Sequence, residues 1–156
     1  MSNLERMIAL ADEFFQAKND PEQISVTEDI MNRLRQIHPD TLKEETDENG
    51  PIAWVLVFPT THALMEQFIS KKLAEKELLD QTPVGGRYDA LYLCSALVLP
   101  EHRGKGLARR LTMQAVKSIN NDHPIRTLFF WSFSVEGERL ARAIAVESGM
   151  PLLRRL

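Results

Sequence analysis

The stretch 89–99 narrows the folds open to this chain more than any other. From Ala90 onward nearly every position is apolar: Ala90, Leu91, Tyr92, Leu93, Cys94, Ala96, Leu97, Val98 and Leu99, with Ser95 the exception. A surface helix would show a polar stripe and a half-exposed strand would alternate, so this run reads as a strand covered on both faces. Pro100 ends it. Helical spacing resumes from Gly106, with Leu107, Leu111, Ala115 and Ile119 on one side. A loop at Asn120-Asn121-Asp122-His123-Pro124, a second buried strand at 127–133, a helix over 136–147 closed by Gly149, and a short strand at Leu152-Leu153 follow. Strand, helix, strand, helix, strand predicts parallel neighbours joined by right-handed crossovers.

The first half has a different pattern. Leu4, Met7, Ile8, Ala11, Phe14, Phe15 and Lys18 recur at helical spacing behind a Ser2/Glu5 capping box, and Asp20-Pro21 breaks that helix. A second helix is expected over 27–37, ending before Pro39, which disfavours helical geometry in His38. A weak strand at 41–45, turn chemistry at Asp47-Glu48-Asn49-Gly50 and a clear strand at 52–58 closed by Pro59 make a hairpin. One helix is expected over 64–79, then a loop at Pro83-Val84-Gly85-Gly86. The fold expected is α/β: a mixed central sheet with helices on both faces, an all-helical N-terminal segment and a short C-terminus. With 156 residues, one domain covering 1–156 is expected.

Composition removes several functional classes. With 44% apolar and 26% charged residues, the chain is an ordinary globular one. No apolar run approaches the roughly 18–20 residues that span a bilayer, so no membrane role is expected. The start lacks a basic segment leading into an apolar one, which argues against secretion. A single Cys94 excludes an internal disulfide, and four scattered His give no zinc spacing, so no metal is expected. These readings point to a reducing cytoplasm. A formal net charge of −3 argues against a nucleic-acid partner.

Against that acidic background one segment reverses sign: Pro100-Glu101-His102-Arg103-Gly104-Lys105-Gly106-Leu107-Ala108-Arg109-Arg110. It lies where a buried strand turns into a helix. Two glycines two places apart allow close backbone approach to a ligand. The first turn of a helix offers free N–H groups and the positive end of its dipole. Together they form an anion cradle suited to phosphate. A P-loop would place Ser or Thr after Lys105, where Gly106 stands. A dinucleotide fingerprint would need a third glycine at Arg109. A pyrophosphate held by main-chain amides fits both absences.

Val98-x-Pro100-x-x-Arg103-Gly104-Lys105-Gly106-Leu107-Ala108 resembles the acyl-CoA signature of the GNAT superfamily of N-acetyltransferases. The family form, Arg or Gln, two residues, Gly, one residue, Gly or Ala, falls on Arg103, Gly106 and Ala108. The resemblance covers roughly 89–150; the first 88 residues match in outline. It implies an acetyl-CoA cosubstrate, with pantetheine on the backbone of Ala96, Leu97 and Val98, the Val98 amide polarising the thioester carbonyl, and the pyrophosphate on Gly104, Lys105, Gly106, Leu107, Ala108 and Arg109. It also implies direct attack by an amine, borne by a small molecule or a peptide.

The chain departs from that family in several places. It opens with a helix where the family opens with a strand, and the helix 64–79 is not typical. By spacing from Gly149, the family's Tyr general acid falls on Ala145 and its Asn on Glu138. The chain stops short of the usual last strand. Tyr92 and Cys94, on one face of the long strand, and Ser134 are the candidate proton donors, each weighed against a plain role: core packing for Tyr92 and Cys94, an N-cap for Ser134. Trp54 and Trp131 are expected as core anchors. The alternative function is a catalytically silent CoA-binding or interaction module. A bare sheet edge and the helix 64–79 leave a homodimer open.

Overall fold

The computed structural model describes residues 1–17, 27–132 and 134–156. Lys18, the Asp20-Pro21 break and Phe133 lie outside them. The elements in order are α1 (Asn3–Ala17), α2 (Glu28–Ile37), β1 (Leu42–Asp47), β2 (Gly50–Thr60), α3 (His62–Ile69), α4 (Glu75–Gln81), β3 (Ala90–Val98), a 3-10 turn (Pro100–His102), α5 (Leu107–Asp122), β4 (Thr127–Trp131), α6 (Val135–Ser148) and β5 (Leu152–Arg155). The strands form one mixed sheet in the order β1-β2-β3-β4-β5. β1–β2 and β2–β3 are antiparallel, while β3–β4 and β4–β5 are parallel. This is the mixed sheet the alternation of strands and helices predicts.

Local chemistry places most ends. The Ser2 hydroxyl accepts from the Glu5 amide at 3.1 Å and opens α1. Thr27 caps α2 by accepting from the Ile30 amide at 3.2 Å, and His38 leaves the helix in an extended conformation. Of the seven positions aligned on α1, Met7 and Ala11 are buried, whereas Leu4 and Ile8 are half exposed. α1 rests on β2 and β3 through this face.

Two expectations about element ends fail for physical reasons. Pro59 does not end its strand; β2 runs on to Thr60. Pairing with β1 stops at Leu42↔Leu56, so Pro59 lies where β2 has no partner on that side, and the ladder there needs no N–H from it. The single helix expected over 64–79 is two. Lys71 adopts φ 68°, and the amides of Lys72 and Leu73 both turn back to the Gln67 carbonyl, at 2.8 and 3.2 Å. This left-handed stop ends α3 without a glycine. It re-aims the chain so that Glu75, the first residue of α4, is fully buried.

Phe68 of α3 sets the layer beneath it. Its ring meets Tyr92, Phe129 and Trp131 edge-on at 5.1, 6.0 and 6.3 Å, and Tyr92 stacks on Phe129 at 5.0 Å. Such pairs add roughly 0.5–1.5 kcal/mol each beyond their burial. α5 covers β1, β2 and β3, and α6 packs along α5 and over β4.

One feature of the sheet positions the site. β3 and β4 pair only from Ala90↔Thr127 to Leu93↔Phe130. β3 continues to Val98, but β4 ends at Trp131. The two parallel strands therefore separate, and among the described residues no strand pairs with that edge of β3 from Ser95 to Val98. A bulge in the β2–β3 register sets Leu56 opposite Ser95 and Val57 opposite Leu93, with Cys94 at the bulge between them.

Candidate active site

The gap between β3 and β4 opens into a cleft of about 770 Å³, within the range of roughly 300–1,000 Å³ common for small-molecule sites. Its lining includes Cys94, Ser95, Ala96, Leu97 and Val98 from β3, Gly104 and Gly106 from the turn, the first residues of α5, Trp131 from β4, and Ser134.

Alternation decides which backbone groups face the gap. The Leu99 amide donates to the Ile52 carbonyl at 2.9 Å, so Leu99 and, two places back, Leu97 point their peptide groups at β2. Ala96 and Val98 then point theirs into the cleft. The Val98 carbonyl is already engaged there, accepting from Arg103 Nε at 3.0 Å. Of the three residues expected to bind pantetheine by their backbones, Ala96 and Val98 present peptide groups to the gap and Leu97 does not.

The turn at the cleft mouth is built by its glycines. Gly104 and Gly106 have φ 78° and 75°, a region L side chains rarely enter. Gly106 is the N-cap of α5 and brings no side chain to cap it. No acceptor among the described residues receives a hydrogen bond from the amides of residues 104–109. Six successive N–H groups thus stay free at the positive end of a long helix. Leu107, Ala108 and Arg109 line the cleft with the glycines, whereas Lys105 does not.

The basic rim is more nearly neutral than its sequence indicates. Arg109 pairs with Glu147 at 2.9 Å, Arg110 with Glu45 at 3.0 Å, and His102 lies 3.6 Å from Asp47. Glu101 is held by a two-point bond from Arg6, at 2.6 and 2.7 Å. That bond lowers its carboxyl pKa to about 2.

The three candidate proton donors separate. Tyr92 is fully buried and does not reach the cleft; its hydroxyl donates to Glu75 Oε2 at 2.5 Å. Burial first, then the Glu75 charge, pushes its phenol well above the usual value. Cys94 lines the cleft and directs its thiol to the same carboxyl oxygen at 3.7 Å. Ser134 also lines the cleft and caps α6, its hydroxyl accepting from the Gly137 amide at 3.0 Å. Its own proton is left over from that bond.

Ala145 offers no side chain that could protonate a thiolate, and Glu138 is held by Arg154 at 2.7 Å. Trp54 is only half buried, and its indole N–H donates to Glu44 at 2.6 Å. Trp131 packs against the core and also walls the cleft. Sequence reasoning missed two residues here: Glu75, hidden inside an expected continuous helix, and Arg155, whose guanidinium lies over the Phe68 and Trp131 rings at 4.3 and 4.8 Å.

Among the described residues no cluster of His, Cys, Asp or Glu could hold a metal, and no helix is long and apolar enough to cross a membrane.

Three solved structures are similar to the chain. A ribosomal-protein-alanine N-acetyltransferase from Brucella melitensis biovar Abortus 2308 is 16% identical, with TM-score 0.42, over 65% of this chain and 59% of that one. Naa20 of Chaetomium thermophilum, solved with a bisubstrate analogue, is 15% identical, with TM-score 0.44, over 75% of this chain and 52% of that one. An aminoglycoside acetyltransferase from an uncultured soil metagenomic sample is 19% identical, with TM-score 0.45, over 96% and 86%. The chain thus spans little more than half the length of the first two. No curated protein matches it. The family model described as the Acetyltransferase (GNAT) family matches residues 4–141, a span that takes in the parted strands, the glycine turn and the free helix end. The chain therefore belongs to the GNAT acetyltransferase family.

Proposed function

We propose that the protein transfers an acetyl group from acetyl-CoA to a primary amine, by direct attack while both substrates are bound. The observation that carries this reading is the row of unengaged amides at residues 104–109, opening onto a cleft beside the bare edge of β3. Those amides suit a pyrophosphate. The Ala96 and Val98 peptide groups suit the amides of a pantetheine arm laid along β3 in place of the missing strand. Acetyl-CoA, when bound, supplies an activated thioester.

The chain's residues would do the rest. The Val98 amide, or that of Ala96, can donate to the thioester oxygen as charge develops there, which is often the largest catalytic term. The amine nitrogen forms the new bond to the acyl carbon while the carbon–sulfur bond breaks. The proton the nitrogen loses balances the one the departing thiolate gains. Of the candidate donors, Cys94 and Ser134 border the cleft and Tyr92 does not.

Calorimetric titration with acetyl-CoA tests the reading, followed by assay of CoA release with an amine panel. Absence of binding at millimolar ligand overturns it. One observation favours a second reading, binding without turnover: Ala145 stands where the resemblance places a Tyr acid. General acid catalysis is typically worth about 10²–10⁴-fold, and a thiolate leaves well without it, so slow turnover is the expected consequence. Binding with no transfer to any amine would select the silent module.

A further inference from the structure

Behind the inner end of the cleft lies a buried polar cluster that the transfer reaction as described does not use. Glu75 is fully buried and receives the Tyr92 hydroxyl and the Cys94 thiol. Arg155 is 9% exposed. Its Nε and Nη1 are buried and have no hydrogen-bond partner among the described residues. Its guanidinium is held against the Phe68 and Trp131 rings. Ring contact offsets part of the cost of burying a cation, but it gives two in-plane N–H donors nothing to bond. Leaving those two donor atoms unbonded in a buried guanidinium is expensive, and a carboxylate is an anion that would offer them acceptors.

The location says which carboxylate. β4 pairs with β3 up to Leu93↔Phe130, so the inner end of the cleft lies beside Cys94, and an amine attacking a thioester held at the Ala96 amide would approach from that end. Cys94 and Trp131 both line the cleft at that point. Trp131 is also the ring against Arg155, so it stands between cleft and guanidinium, and a ligand that reaches Arg155 from the cleft must displace this side chain. We propose that the acyl acceptor is an amine that also bears a carboxylate, a free amino acid or a close analogue, with its carboxylate bound by Arg155. The proposal rests on the transfer reaction above. It adds the substrate class.

Matched pairs test it: L-alanine against ethylamine, L-phenylalanine against phenethylamine, L-lysine against cadaverine. The wild-type protein should favour the carboxylated member in kcat/KM by at least about tenfold, the worth of a charge-assisted bond. Arg155→Met should erase that ratio through KM, and Arg155→Lys should restore part of it. Equal use of both members by the wild type, or a ratio that survives Arg155→Met, overturns the proposal. A second readout needs no turnover. In a Trp54→Phe background Trp131 is the reporter, and its fluorescence should change saturably with L-alanine or acetate and lose that response in Arg155→Met. No saturable response to either probe also overturns it. Failure to bind acetyl-CoA would defeat the transferase reading alone, since the fluorescence titration still judges Arg155.

Discussion

The two ends of the cleft are built on opposite principles. At the mouth, residues 104–109 present bare amides, and several of the surrounding charges are paired: Arg109 with Glu147, Arg110 with Glu45, Arg6 with Glu101. At the inner end the backbone is ordinary strand, and ionisable side chains gather in an aromatic shell. The mouth needs only local sequence, because glycine geometry and a helix start are made by neighbours in the chain. The inner end needs α4, β3 and β5 brought together, so its residues lie far apart in sequence. A binding surface of backbone suits an invariant ligand group, and one of side chains suits a ligand that must be chosen.

That contrast predicts separable defects. The largest effect is expected at the mouth. Gly106→Glu places a β-carbon at φ 75° and an anion where a diphosphate would sit. Acetyl-CoA affinity by calorimetry should fall by at least about a hundredfold, roughly 3 kcal/mol. Thermal unfolding should show a cost of only about 1–2 kcal/mol from the left-handed backbone. Unaltered affinity would break the assignment of the mouth.

At the inner end the order reverses. Glu75→Ala removes the acceptor of the Tyr92 hydroxyl and leaves a cavity. Denaturant unfolding should report a loss of about 3 kcal/mol with acetyl-CoA affinity changed less than by Gly106→Glu. If affinity falls as far, the two ends are one site and the contrast fails. Tyr92→Phe sharpens the same point, since it deletes one hydroxyl and should cost about 1–2 kcal/mol with no effect on cosubstrate binding.

The smallest effect concerns the Arg6–Glu101 pair beside the mouth. The Glu101 pKa falls from 4.5 to about 2 on folding. A lowered carboxyl pKa stabilises the fold above the unfolded value and loses that contribution as pH drops from about 4.5 towards 2. Arg6→Met should flatten the stability profile in that window and leave it unchanged near neutrality, apart from the lost pair. Both side chains are substantially exposed, so solvent screening keeps the change small.

The legibility of the chain follows the same division. The long apolar strand before Pro100, Pro100 itself, Gly104 and Gly106 could be read directly, because burial pattern and turn chemistry are local. The break at Lys71 could not: a lysine in the left-handed region carries no sequence mark, so 64–79 reads as one helix. With that break unseen, nothing in the spacing singles out Glu75. The cations of residues 102–110 read as a basic rim, because their partners, Asp47, Glu45 and Glu147, lie on other elements.

What the sequence determined alone was most of the strands and helices, the hairpin, and a glycine turn at a helix start, all of which depend on residues within a few places of one another. The tertiary structure alone decided where β4 leaves β3, which carboxylates neutralise the mouth, and that Glu75, Tyr92, Cys94 and Arg155 share one interior. Those outcomes depend on distance through space, and side-chain patterning records how much a position is buried, not which charge it will be buried beside.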